Sequence, residues 1–203
     1  MLILIIILFF APQTKGMKQL VIFASGNGSN AENLIRHFQR SGRATVAAVF
    51  CNRPGAGVVD RARRLGVPVE IINRETLHSG HVASELDKIN PDLIILAGFL
   101  MMMPGSIISA FPNKIINIHP ALLPKFGGKG MYGDNVHRAV LESGERETGI
   151  TLHYVDEHYD SGDVIFQAKT DIAAGATAES IAESVRRLEM EYFPIVVDQI
   201  LFP

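Results

Sequence analysis

Short, continuously apolar runs recur along the first two thirds of the chain and limit its possible folds more than any other feature. Continuous rather than alternating apolar character is typical of strands that are buried on both faces of a parallel sheet. The runs that we predict to be strands are Leu20–Ala24, Thr45–Phe50, Val69–Ile72, Leu93–Leu96 and Ile115–Ile118.

The segments around these runs are amphipathic and predict helices. The predicted helices are Asn30–Ser41, Gly57–Leu65, Ser79–Ile89, Pro104–Ala110 and Val136–Ser143. Because strand and helix alternate, we expect an α/β fold with a doubly wound, mostly parallel sheet.

The pattern changes after Gly144. Ile150–Val155 and Val164–Lys169 predict an antiparallel strand pair near the C-terminal end, and Thr177–Leu201 predicts a long helix. Thr177 is the expected N-cap of that helix, and Ser180 stands where a full capping box has Glu or Gln, so we expect an incomplete box.

Residues 1–16 contain a run of ten apolar residues that is too short for an ordinary membrane-spanning helix. The run also lacks the charged start and small-residue cleavage site of a secretory signal. We therefore expect an N-terminal extension outside the fold, followed by a single domain over residues 17–203. The alternative is a membrane anchor, which recovery of the protein in washed membranes would support.

The composition excludes several classes of protein. A formal net charge of −2 gives no basic surface for a nucleic-acid partner. Cys51 is the only cysteine, so neither an intrachain disulfide nor a Cys-based metal cluster is possible, and we expect no metal and a reducing, cytoplasmic location.

The segment Asn117–Lys125 carries the strongest functional signal, because a buried strand runs into an amide, an imidazole and two prolines. Prolines end the strand and fix the backbone. Asn117 and His119 can donate N–H groups to the oxyanion that forms when an amine attacks a formyl carbonyl. Asp160 can orient His119, favour its charged form and help to move a proton. A core histidine and a turn-forming aspartate are the ordinary alternatives for these two residues.

Two further segments predict ligand contacts. The loop Gly26–Asn30 after the first strand is either a plain tight turn or a phosphate cradle at a helix N-terminus. Leu96–Pro104 either packs in the core, as methionine does well, or lines a slot for a flat heterocycle such as a pterin. His153, within a predicted strand, is either a partner of the catalytic group or a packed polar residue.

These motifs together resemble the phosphoribosylglycinamide formyltransferase family, which is folate-dependent. The resemblance rests on Gly26–Asn30, Leu96–Phe99, Asn117–Lys125 and Asp160–Gly162, and it covers nearly all of residues 18 to 200. It implies a Rossmann-like formyltransferase fold and small-molecule substrates. In that reaction the amine of glycinamide ribonucleotide takes the formyl group of 10-formyltetrahydrofolate.

The resemblance also assigns roles to residues. It implies that Asn117, His119 and Asp160 are catalytic and that Glu189 binds the ribose hydroxyls. The implied phosphate cradle is Gly28, Ser29 and Asn30, and the implied folate-binding residues are Leu100, Met101, Met102, Met103 and Val155. The sequence leaves the oligomeric state open, and a homodimer is possible.

The chain departs from the family pattern at Met101, where relatives often carry Arg, and in the loop Phe126–Asn135, which is longer than in many relatives. Glu75 or Arg74 lies near a position that is often a substrate-binding Arg. Two other folate enzymes share the catalytic motif: methionyl-tRNA formyltransferase, which needs an RNA-binding domain, and formyltetrahydrofolate hydrolase, which needs no phosphate cradle.

Overall fold

The computed structural model describes residues 17–203. Within them the seven strands are β1 (Lys18–Ala24), β2 (Ala44–Cys51), β3 (Val69–Ile71), β4 (Leu93–Leu96), β5 (Ile115–His119), β6 (Glu147–Tyr154) and β7 (Val164–Asp171). The helices are α1 (Ser29–Ser41), α2 (Gly57–Arg64), α3 (Arg74–His78), α4 (His81–Ile89), α5 (Gly105–Ala110), α6 (Asp134–Glu142) and α7 (Ala178–Leu201). The expected extension over residues 1–16, and the membrane anchor that is its alternative, lie outside the described residues.

The strands form one sheet in the order β3-β2-β1-β4-β5-β6-β7. The pairs among β1 to β5 are parallel, while β6 runs antiparallel to β5 and β7 antiparallel to β6. The predicted α/β class, with its mostly parallel sheet and late antiparallel pair, is therefore confirmed. The strand order reverses between β1 and β4, and the crevice at such a switch point is where open α/β sheets bind ligands.

Helices cover both faces of the sheet, which explains the continuously apolar strands. In β1, Leu20 and Ile22 face one core cluster, while Val21 and Phe23 face the other, and all four side chains are fully buried. The first cluster lies under α1, α2 and α7, and the second lies under α4 and α5.

Two local predictions were wrong. The predicted helix Ser79–Ile89 begins at His81, because Gly80 takes the left-handed conformation (φ 90°) and ends the separate, unpredicted helix α3 before it. The capping box of α7 is complete: the Ser180 hydroxyl accepts the Thr177 N–H at 3.0 Å, and Thr177 Oγ1 accepts the Ser180 N–H at 3.2 Å. Serine thus does what Glu does in the usual box.

Among residues 17–203, the structure contains no helix with the length and apolar character that crossing a membrane requires.

Candidate active site

The segments that follow β1, β4 and β5 meet at the carboxyl ends of these parallel strands. They line a cavity of about 740 Å³ together with the loop before α6 and one face of α7. Asn117, His119, Asp160 and Glu189 all line this cavity, as does the glycine loop Gly26–Asn30. The topology therefore gathers most of the predicted site residues around one space.

The three predicted catalytic side chains are in contact. Asn117 and His119 are carried by β5, and Asp160 lies in the loop between β6 and β7. The Asn117 amide nitrogen donates to Asp160 Oδ1 at 3.3 Å, and His119 Nδ1 lies 3.5 Å from Asp160 Oδ2. The carboxylate thus bridges the two side chains that β5 presents.

His153 completes this group and settles its hydrogen-bond directions. It lies directly opposite Asn117 in the β5–β6 register. Its Nδ1 lies 2.8 Å from the Tyr154 carbonyl, to which it must donate, so Nε2 is left to accept from the Asn117 amide at 3.0 Å. Both Asn117 N–H groups are therefore engaged in the free protein, and the longer bond, to Asp160, is the easier one to exchange.

His119 is almost completely enclosed, with 3% of its surface exposed. Its Nε2 lies 2.8 Å from the Phe126 carbonyl and must donate to it, which leaves Nδ1 facing Asp160. Burial lowers the pKa of His119 below its ordinary value, although Asp160 and the Phe126 carbonyl oppose this shift. Asp160 favours the charged ring, but the effect of burial on the pKa is larger.

Asp160 stays ionised in this setting. Burial would raise the pKa of its carboxyl, but the rings of His153 and His119 and the Gly128 N–H, 2.9 Å away, hold that pKa below its ordinary value. Its backbone has a positive φ of 52°, uncommon for a residue with a side chain. The loop holds this conformation because Gly162 packs against the Tyr154 carbonyl and Asp156 accepts from Ser161.

The glycine loop forms the wall at the N-terminus of α1. Gly28 has φ 80°, and a Cβ there would lie 2.5 Å from Val58, so only glycine fits this turn. Ser29 and Asn30 begin α1 and line the cavity. The free N–H groups and positive end of a helix face the cavity here, as an anion requires.

α7 supplies two charged groups on one face, one helical turn apart. Burial raises the pKa of Glu189 to about 7, although Asn30 and Arg186 oppose the shift. Arg186 also lines the cavity and was not among the predicted site residues. Its i, i+3 spacing from Glu189 was the signal that could have identified it.

A second cavity, of about 770 Å³, adjoins the first and shares Leu100 and Tyr159 with it. Leu100, Met101, Met102 and Met103 all line it, although Met103 also packs in the core. The Leu100 N–H donates to Ser25 Oγ at 2.9 Å, which ties this segment to the end of β1.

Other residues of interest lie around the second cavity. Arg74, His78 and Glu157 line it with the methionines, and Arg74 is its only arginine among the described residues. Val155 packs against the core beside these residues rather than on the cavity wall. Within residues 17–203 there is no cluster of three His, Cys, Asp or Glu side chains suited to a metal ion.

Comparison with known proteins agrees with this arrangement. Residues 18–197 match the family model described as formyl transferase. The chain is 38% identical over 190 residues to a chloroplastic phosphoribosylglycinamide formyltransferase of Arabidopsis thaliana, covering 90% of this chain and 65% of that one. It is 33% identical over 191 residues to the phosphoribosylglycinamide formyltransferase of Bacillus subtilis, covering 91% and 95%.

Solved structures share the fold. The crystal structure of glycinamide ribonucleotide transformylase 1 from Geobacillus kaustophilus superposes with a TM-score of 0.84 at 36% identity, covering 92% of this chain and all of that one. The chain spans less than two thirds of the length of the Arabidopsis relative and nearly all of the bacterial one. It therefore belongs to the formyl transferase family, and the relatives that it resembles there are phosphoribosylglycinamide formyltransferases.

Proposed function

We propose that this chain transfers the formyl group of 10-formyltetrahydrofolate to the amine of glycinamide ribonucleotide, a step of purine biosynthesis. The observation that carries the proposal is that the glycine loop Gly26–Asn30 lines one cavity with Asn117, His119 and Asp160. This cavity shares lining residues with a second, methionine-lined cavity. A phosphorylated amine and a flat formyl donor fit the two cavities.

The ribonucleotide fits the first cavity. Its phosphate would accept N–H groups from Gly28, Ser29 and Asn30 at the start of α1, with Arg186 supplying a full positive charge. Glu189 would accept hydrogen bonds from the ribose hydroxyls, which suits a carboxylate better than a neutral acid. The amine then lies toward β5, where the catalytic group is.

The formyl folate fits the second cavity. Leu100, Met101, Met102 and Met103 would hold the pterin ring, and Val155 would support that slot from behind. Arg74 would bind the acidic end of the folate, because Met101 offers no charge where many relatives have arginine.

In the reaction, the substrate amine attacks the formyl carbon, and negative charge develops on the carbonyl oxygen. Asn117 would stabilise this oxyanion by exchanging its 3.3 Å bond to Asp160 for one to the oxygen. The charged form of His119 would donate to the same oxygen from Nδ1. Asp160 would accept the proton that leaves the attacking nitrogen, through a water molecule, and return it to the folate nitrogen. The bond between that nitrogen and the formyl carbon then breaks, and the oxyanion becomes the carbonyl of the formylated ribonucleotide as tetrahydrofolate leaves.

The two rival folate enzymes would have different requirements. A formyltetrahydrofolate hydrolase would release formate without any amine, and a methionyl-tRNA formyltransferase would need a basic surface that a net charge of −2 does not supply. The anion cradle favours the ribonucleotide substrate over both.

A charge variant tests the cradle directly. Arg186→Gln should raise the KM for glycinamide ribonucleotide about tenfold with kcat little changed, because the lost contact acts on ground state and transition state alike. Arg187→Gln is the matched control, since Arg187 lies next in sequence but contacts Glu183 and Ser184 on the helix surface. Equal KM values for both variants and the wild type would contradict a phosphate at this position.

The remaining expectations concern partners and compartment. We propose that the partners are these small molecules, without nucleic acid or membrane, and that the protein works in a reducing cytoplasm. The buried, free thiol of Cys51 supports the latter. A homodimer stays a prediction.

A further inference from the structure

We propose that Gln167 is a positioning residue for His119: it fixes the chain after β5 so that the Phe126 carbonyl stays on the His119 ring. The strand register brings these residues together. His119 on β5 lies opposite Thr151 on β6, and Thr151 lies opposite Gln167 on β7. The three side chains occupy one level across three adjacent strands.

A saturated hydrogen-bond network connects Gln167 to the chain after β5. The Gln167 amide nitrogen donates to the Leu123 carbonyl and to Thr151 Oγ1, each at 2.9 Å. The Thr151 hydroxyl donates to the Ala121 carbonyl at 2.7 Å and accepts the Leu123 N–H at 3.0 Å. Every hydrogen-bonding position of this hydroxyl is therefore used. Reversing the Gln167 amide would set two oxygens against each other, so the network defines its orientation.

Leu123 connects this network to the turn at Phe126 and Gly127, and the Phe126 carbonyl in that turn contacts His119. Its side chain packs so closely on Gly127 that a Cβ there would lie 2.6 Å from Leu123 Cδ2, and the same Cβ would lie 3.1 Å from Asp160 Cβ. Phe126, between Leu123 and Gly127, has φ 58°, a conformation that persists only where the surroundings impose it. The imposed turn directs the Phe126 carbonyl to His119 Nε2 at 2.8 Å.

Two consequences follow for His119. The carbonyl fixes the proton on Nε2 and the ring plane, so Nδ1 keeps its place beside Asp160. The carbonyl also opposes the effect of burial on the pKa of His119. Without Gln167, the carbonyl of Leu123 loses its donor, the turn at Phe126 can relax, and the ring loses both its orientation and part of its basicity.

The test compares Gln167→Leu with Lys169→Met. Lys169 lies two residues further along β7 on the same face, but its ammonium group pairs with Glu147 on the surface at 2.7 Å. We expect Gln167→Leu to lower kcat roughly tenfold to a hundredfold with both KM values within about twofold, because a small misplacement of a catalytic group costs this much. Lys169→Met should leave both parameters unchanged.

Histidine-ring NMR of the ligand-free variants separates positioning from simple loss of stability. In Gln167→Leu the His119 titration midpoint should fall by about half a pH unit, the scale of one weakened hydrogen bond. His119 signals that match the wild type would overturn the inference, whatever the activity. The kinetic part rests on the proposed function; a wild type without transfer activity would refute that function and leave the NMR result to decide the positioning role.

A second pair of variants keeps the inference testable if Gln167→Leu does not fold. Thr151→Ser retains the relaying hydroxyl and should keep nearly full kcat and a normal His119 titration, whereas Thr151→Val should lose both. Equal behaviour of the serine and valine variants would contradict the network.

Discussion

At the residue scale, Asp160 is central to the proposed mechanism, because its carboxylate contacts both Asn117 and His119. Asp160→Asn should lower kcat about a hundredfold or more, the scale of lost acid–base help. The amide can still accept the Gly128 N–H, so folding should be nearly unchanged. Kinetics with a far-UV circular dichroism melt checks both expectations, and full activity would remove Asp160 from the mechanism.

The raised pKa of Glu189 predicts that the stability of the protein depends on pH. Its folded pKa of about 7 exceeds its ordinary value of 4.5, so between these values the folded protein binds more protons than the unfolded chain. The contribution of Glu189 to stability is therefore most favourable below pH 4.5 and is lost as the pH rises through 7. Glu189→Gln should gain stability relative to the wild type between pH 5 and pH 8.

The matched control for this prediction is Glu183→Gln on the same helix, because the Glu183 side chain is mostly exposed. Urea unfolding of the three proteins at several pH values measures the effect. A stability difference between Glu189→Gln and the wild type that is constant with pH would show that Glu189 does not titrate near neutrality.

How far the sequence predicts single residues depends on the range of the contact. Asn117 and His119 were predictable because prolines and a strand end mark them locally. For His153 the sequence did not decide between a partner of the catalytic group and a packed polar residue. Its contact with Asn117 depends on strand register, which no neighbouring residue in the sequence indicates. Arg186 was missed although its i, i+3 spacing from Glu189 is a local signal, because only the fold brings that face of α7 to the glycine loop.

At the element scale, the loop between β6 and β7 sets the position of Asp160, and Gly162 is its tightest point. A Cβ at Gly162 would lie 2.0 Å from the Tyr154 carbonyl oxygen. Gly162→Ala should displace the loop, cost about 1–3 kcal/mol of stability and lower kcat more than tenfold. Calorimetry and steady-state kinetics measure the two effects.

Gly55→Ala is the control for this prediction, because a Cβ there meets no atom within 4 Å and its backbone is compatible with alanine. It should match the wild type in kcat and melt within a degree or two of it. If the Gly162 variant retained full kcat despite a lower melting temperature, the loop would not control the placement of Asp160.

The elements themselves were largely predictable from apolar periodicity, with errors at the breaks. The short helix α3 was missed because its capping pair, Asn73 and Thr76, follows an edge strand without an apolar periodic segment. Gly80 alone did not reveal that the chain would turn before α4.

At the scale of the whole molecule, the sheet order brings the glycine loop, the proposed catalytic residues and the methionine-lined cavity to the same end of the sheet. The strand order could not be read from local patterns, since it depends on how helices cover the two faces. The sequence therefore predicts a doubly wound, mostly parallel sheet but no strand order. In the proposed function, this arrangement is what favours transfer to a ribonucleotide over simple hydrolysis.

The most direct test of the proposed formyl transfer is to mix the purified protein with 10-formyltetrahydrofolate, with and without glycinamide ribonucleotide. The absorbance of the deformylated folate is then followed over time. We expect deformylation that requires the ribonucleotide and yields one formylated ribonucleotide per folate released. Deformylation at the same rate without the ribonucleotide, with formate as the product, would contradict the proposed transfer.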